Sequence, residues 1–152
     1  MPTYVCSVPA SSLNKDQKKA IADAISRNHS QVTGAPPFFV QVEFEEKQIN
    51  DRFLGGEMTG GHVWIRGDIR AGRTKEHRKT LMRQIMEDVS RITGVSKGSI
   101  WVYLCNLEPT DMIEYGNVLP EPGSEQEWFE ALPQALKDYL KSLGTTKETF
   151  TL

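Results

Sequence analysis

Two stretches of the chain alternate apolar and polar residues with the period of an α-helix. Ile21, Ile25 and Val32 mark one stripe, and Leu81, Ile85, Val89 and Ile92 mark another, each at the spacing that turns one apolar face toward a core. Residues that close helix ends frame both stripes. Asn14 and Thr74 stand where an N-cap is wanted, Gln17 completes a capping-box pattern with Asn14, and Gly34 and Gly94 stand at the C-terminal stops. Before each helix runs a segment rich in β-branched and aromatic residues, 3–8 and 62–69, and after each comes another, 38–44 and 99–104; these read as strands. Strand, helix, strand with short linkers is a βαβ unit, whose strands lie parallel with a right-handed crossover.

The unit is used twice. Displacing the sequence by sixty positions aligns 13–43 with 73–103 without a gap, pairing Lys15 with Lys75, Ile25 with Ile85, Ser30 with Ser90, Thr33 with Thr93 and Gly34 with Gly94. The expected organisation is a single domain, 1–152, containing repeats at 2–46 and 62–107. Its fold class is α+β, with tandem βαβ units forming a four-stranded mixed sheet that carries two helices on one face. A Pro- and Gly-rich turn at 119–123 precedes Trp128, Phe129, Leu132, Leu136, Tyr139 and Leu140 at roughly helical spacing, so 124–143 is expected to be a C-terminal helical segment docking at an edge. That segment is too small to cover the second face of the sheet, and self-association in a closed ring is expected to bury it.

Composition narrows the function. With 152 residues, 18 Lys and Arg against 20 Asp and Glu, and a net charge of -2, the chain lacks the basic excess of a nucleic-acid or membrane-surface binder, so any anion recognition is local. No apolar run approaches a membrane span and the N-terminus lacks a secretory signal's layout, which predicts a cytoplasmic protein. Cys6 and Cys105 fall inside strand-like runs and read as buried reduced thiols, and the scattered His29, His62 and His77 form no ligand spacing. Neither metal nor cofactor is expected.

Six residues offer chemistry. Pro2 follows the initiator methionine, and removal of Met1 would leave a rigid secondary amine with an ordinary pKa of about 7.7 to 8.0, where modest surroundings set it as base or acid. Arg70 and Arg73 lie where the second unit's first strand gives way to its helix, a place suited to a carboxylate; the alternative is two solvated arginines pairing with Asp68 or Glu76. Gly67 and Gly72 nearby would let the backbone approach an anion. His29 is matched in the repeat by Val89, so a histidine replaces the residue type that packing alone prefers; it is either a satisfied core residue or a donor toward a cavity. Tyr103 ends a strand. Glu114, amid Met112, Ile113 and Tyr115, is a surface carboxylate or a general base toward water.

Taken together, the Met-Pro start, Asn28-His29, Phe53-Leu54-Gly55-Gly56, Arg70-Ala71-Gly72-Arg73, Trp101-Val102-Tyr103 and Met112-Ile113-Glu114-Tyr115-Gly116 resemble the cis-3-chloroacrylic acid dehalogenase branch of the tautomerase superfamily over nearly the whole chain. The resemblance implies a homotrimer, with Tyr103 acting across a subunit boundary, and a short carboxylate substrate. His29, Arg70 and Arg73 would hold and polarise its carboxylate, Glu114 aided by Tyr103 would activate water for attack at C3, and Pro2 would protonate C2. The product would be malonate semialdehyde, formed without a cofactor by hydration or hydrolytic dehalogenation of a 3-haloacrylate or propiolate. Two other readings stand beside it: a phenylpyruvate-type keto–enol tautomerase with Pro2 as base, and a trimeric binding or signalling module.

Overall fold

In the computed structural model, which describes residues 2–143, the two long helices form where caps and stripes coincide. The Asn14 side chain accepts the Gln17 N–H at 2.8 Å while Gln17 Oε1 accepts the Asn14 N–H at 3.1 Å, and α1 runs from there over Lys15–Thr33. The Thr74 hydroxyl accepts the His77 N–H at 3.1 Å and opens α2, Lys75–Thr93. Both helices stop at a glycine in the left-handed region, Gly34 with φ 73° and Gly94 with φ 76°, whose N–H groups donate to the Ser30 and Ser90 carbonyls at 2.8 Å. A cap of this kind stabilises a helix by about 1 kcal/mol.

The helices cover one face of a four-stranded sheet. In chain order the strands are β1 (Thr3–Pro9), β2 (Gln41–Lys47), a short hairpin of β3 (Phe53–Leu54) and β4 (Glu57–Met58), β5 (Val63–Arg70), β6 (Ile100–Leu107), and a second hairpin of β7 (Ile113–Glu114) and β8 (Asn117–Val118). The sheet order is β2-β1-β5-β6, with β1 parallel to β2, β5 parallel to β6 and the two pairs meeting antiparallel. Across that seam Tyr4 faces Gly67, Cys6 faces Ile65 and Ser7 faces Trp64. The pair Thr3–Gln41 in one parallel ladder corresponds to Trp64–Trp101 in the other, so β1 and β5 match at sixty-one positions while the helices match at sixty, and a local twofold runs between β1 and β5. Asn28 and its counterpart Asp88 meet on this axis, the Asn28 amide donating at 2.9 Å.

Alternation in the strands and helical spacing in α1 and α2 converge on one core. Tyr4, Cys6, Val8, Ile65 and Ile69 from the sheet pack against Ile21, Ile25, Leu81, Ile85 and Val89 from the helices. Burying each large aliphatic there contributes roughly 1.5–3 kcal/mol. No helix among the described residues covers the opposite face of the sheet, which carries Trp64, Trp101 and Tyr103, and large apolar side chains stand exposed on both hairpins, among them Phe53, Met58, Ile113 and Val118.

Three details depart from the expected elements. Pro36 and Pro37 start a 3-10 turn, Pro37–Phe39, so β2 begins at Gln41 and Phe38 and Phe39 leave the sheet; a matching turn, Lys97–Ser99, precedes β6. The expected C-terminal helix is two, α3 (Glu125–Ala131) and α4 (Gln134–Ser142), because Pro133 cannot continue the ladder of α3. These helices dock on Phe38 and Phe39, where Leu119, Phe129, Leu132 and Leu140 make a second core. Among the described residues no helix is long and apolar enough to cross a membrane. The anticipated single domain, 1–152, extends beyond the described residues.

Candidate active site

The second core and the first meet at a cleft of about 390 Å³, counting its open mouth, that brings together Pro2, His29, Arg70 and Arg73. Ala35, Phe39 and Leu119 supply its apolar lining. Pro2 is buried immediately before β1, and its carbonyl accepts the Gln41 N–H at 3.0 Å, which fixes it at the start of the β1–β2 pair.

His29 reaches the cleft from the last turns of α1, only 3% exposed. Its Nδ1 lies 2.8 Å from the Tyr4 hydroxyl. The Tyr4 ring is seated against Gly67, where an added Cβ would come within 2.5 Å of the ring; this glycine makes room for the tyrosine rather than for a ligand. Burial pushes the Tyr4 phenol well above its ordinary range. Burial, with the positive charges of Arg73, the amino terminus and Arg70, lowers the His29 imidazole to about 3. Both rings are therefore uncharged at neutral pH. The phenol proton has no other acceptor among the described residues, so the Tyr4 O–H donates to Nδ1 and the imidazole keeps its proton on Nε2. His29 is thereby held as a neutral donor.

The two arginines have different surroundings. Arg70, buried at the end of β5, donates through Nη1 to the Pro120 carbonyl at 2.7 Å and through Nη2 to Glu125. Arg73 is half-buried in the following loop, and burial and the neighbouring Arg70 lower its pKa while Glu125 acts in the opposite direction. Neither arginine pairs with Asp68 or Glu76, which are engaged by Arg66 at 3.0 Å and Lys79 at 3.2 Å. Gly72, with φ 97°, closes against Pro122, whose Cγ would lie 2.9 Å from an added Cβ. Glu125 also lines the cleft. Nothing in the helical pattern of 124–143 singled it out; the nearest signal is its place just after the Pro122-Gly123 turn, which returns the chain toward the arginine loop.

Tyr103 and Glu114 lie outside this cleft in the single chain. Tyr103 is 52% exposed on the uncovered face of the sheet, edge-on to Trp64 at 5.9 Å, in a groove shared with Arg52, His62 and Trp101. Glu114, in β7, lines a broad groove with Thr3, Ser26, Phe38 and Gln41. Phe39 lines both this groove and the cleft.

The arrangement has known counterparts. Residues 1–131 match the Tautomerase_3 family, described as "Putative oxalocrotonate tautomerase enzyme". The crystal structure of N1, a member of the cis-3-chloroacrylic acid dehalogenase family, is 37% identical, with a TM-score of 0.89 over 93% of this chain and 99% of that one. Native Ps01740 is 28% identical, with a TM-score of 0.71 over 74% of this chain and 99% of its own. An asymmetric trimer of a fused 4-OT shares the fold at 22% identity, with a TM-score of 0.72 over 76% of this chain and 94% of that one. No curated protein sequence matches significantly.

Proposed function

The chain belongs to the cis-3-chloroacrylic acid dehalogenase family of the tautomerase superfamily, and from that premise we propose that it adds water to a short 3-substituted unsaturated acid. The observation that carries this reading is the convergence of Pro2, His29, Arg70 and Arg73 on one cleft. A carboxylate is the ligand such a wall suits: guanidinium charge attracts it, and a neutral imidazole can donate to it.

Polarisation of the carboxylate draws electrons from the conjugated multiple bond and leaves C3 electrophilic. Glu114 removes a proton from water as the oxygen bonds to C3, and Pro2, freed of Met1 and protonated, delivers a proton to C2. A propiolate then gives the enol of malonate semialdehyde. A 3-haloacrylate gives a halohydrin that expels halide and a proton to reach the same aldehyde.

The assembled catalyst is a trimer. The uncovered sheet face, the exposed apolar residues of both hairpins and the trimeric fused 4-OT relative support this, since two-stranded hairpins this short are not stable alone. Assembly sets Tyr103 of the partner subunit beside Glu114 to orient the water. Pro2 thus works with groups from two chains.

The test is proton NMR of cis-3-chloroacrylate and propiolate with the wild type and Glu114→Gln. Malonate semialdehyde forms with the wild type, and the variant is slower by about 100-fold or more. Hydration that survives Glu114→Gln at the wild-type rate contradicts the mechanism.

A further inference from the structure

The cleft already contains a carboxylate. Glu125 accepts from Arg70 through Oε1 and from the Gly123 N–H through Oε2 at 2.6 Å, so both of its oxygens are engaged by the protein. The segment that carries it is pinned on either side. Upstream, the Pro120 carbonyl takes the other Arg70 nitrogen at 2.7 Å, and downstream Trp128 Nε1 donates to the Val118 carbonyl at 2.9 Å while Phe129 is buried in the second core. Burial alone would raise the Glu125 carboxyl, but hydrogen bonds from its own backbone, Arg70 and Gly123 outweigh that and hold it below the usual range. It is an anion at neutral pH.

Charge in the cleft walls is therefore unequal to the number of arginines. Arg70 is neutralised by Glu125, and His29 is neutral. Arg73 has no hydrogen-bond or ion-pair partner for its guanidinium among the described residues. We propose that Glu125 is a specificity-determining residue: by occupying Arg70 it leaves Arg73 as the guanidinium for the ligand, and it selects monocarboxylates over dicarboxylates. A second carboxylate on the ligand would approach Glu125 and meet an anion that the fold does not release. The proposal rests on the reading of this cleft as a carboxylate site and divides the work between its arginines, with Arg70 framing the wall and Arg73 making the contact.

The experiment measures dissociation constants for acrylate and fumarate by NMR titration of the full chain, freed of Met1, at neutral pH. The variants are Glu125→Gln and Arg73→Met. Glutamine keeps the size of the side chain and one oxygen for Arg70, its amide nitrogen being unable to accept from Gly123, and a thermal melt checks that the wall persists. The wild type binds acrylate in preference to fumarate, and Glu125→Gln reduces that preference at least tenfold. Arg73→Met, which leaves the Arg70–Glu125 pair untouched, loses acrylate binding by at least tenfold. A preference unchanged in Glu125→Gln, or acrylate affinity kept within about threefold in Arg73→Met, overturns the role of Glu125 and leaves the carboxylate cleft standing. Absence of acrylate binding to the wild type overturns the cleft reading itself, and this proposal with it.

Discussion

The two ends of the local twofold share a backbone and differ in chemistry. At one end stand Tyr4, His29, Arg70 and Arg73; the corresponding places in the other half hold Ile65, Val89, Pro9 and Leu13. Val89 is fully buried, and Leu13 packs on the core, so the scaffold closes without polar groups at that end. At the other end a cleft remains, and every departure from the apolar counterpart faces it or supports a group that does. The comparison separates what the fold requires, which is present in both halves, from what function adds, which is present in one.

Replacing His29 with the valine of the other half breaks the asymmetry most strongly. Removing one positioned donor lowers kcat/KM for the unsaturated acid by about 100- to 1000-fold, measured by steady-state kinetics. Activity within a few-fold of wild type would mean that the histidine only fills space.

The same residue makes stability depend on pH. The unfolded imidazole takes a proton near the ordinary histidine value of 6.5, whereas the buried one waits until about 3. Between these values the unfolded state binds more protons, so the fold loses stability as pH falls through that window. Urea titrations at about pH 6.5 and 4.5 show a His29-linked loss of roughly 2 kcal/mol, seen as the difference in acid sensitivity between the wild type and His29→Val. Equal sensitivity in both would show that His29 does not carry this linkage.

Tyr4→Phe leaves Nδ1 of His29 without its 2.8 Å partner and costs about 1–3 kcal/mol. His29→Val strands the tyrosine hydroxyl for a similar cost, but the double variant removes both polar groups and recovers most of the loss, in keeping with the apolar pair of the other half. Chemical denaturation of the three variants reads this as a coupling energy; simple additivity would contradict a bonded pair. The smallest effect is at shared scaffold. Asn14→Ala removes a cap at about 1 kcal/mol and leaves kcat/KM unchanged.

How much of this was readable beforehand follows from the same contrast. Features present twice announced themselves: Asn14 and Thr74, Gly34 and Gly94, and the stripes of α1 and α2 marked out the tandem units, because caps and periodicity are local properties. The two hairpins extend the correspondence, with β3 and β4 placed sixty positions before β7 and β8, yet strands of two residues leave no alternation to read. Pro36 and Pro37 displaced β2 by forming a 3-10 turn, and the Phe38 and Phe39 side chains released there became the anchor for the C-terminal helices. Four of the six candidate residues meet in one chain because their elements end beside one another. Tyr103 and Glu114 stand apart, on surfaces that a single chain leaves uncovered, and a sequence names residues without saying which subunit supplies them. Glu125 escaped notice because its importance arises from a turn that folds it back onto Arg70.

At the centre of the proposed function stands Pro2, with a carboxylate held by His29 and the arginine wall. The most direct measurement is a proton NMR time course of the Met1-free protein with cis-3-chloroacrylate, propiolate and enol-phenylpyruvate in parallel, beside Pro2→Ala. Malonate semialdehyde or its decarboxylation product, acetaldehyde, is expected from the unsaturated acids, with a loss of that reaction in Pro2→Ala. Turnover of the enol alone, or hydration that persists without Pro2, would contradict that role.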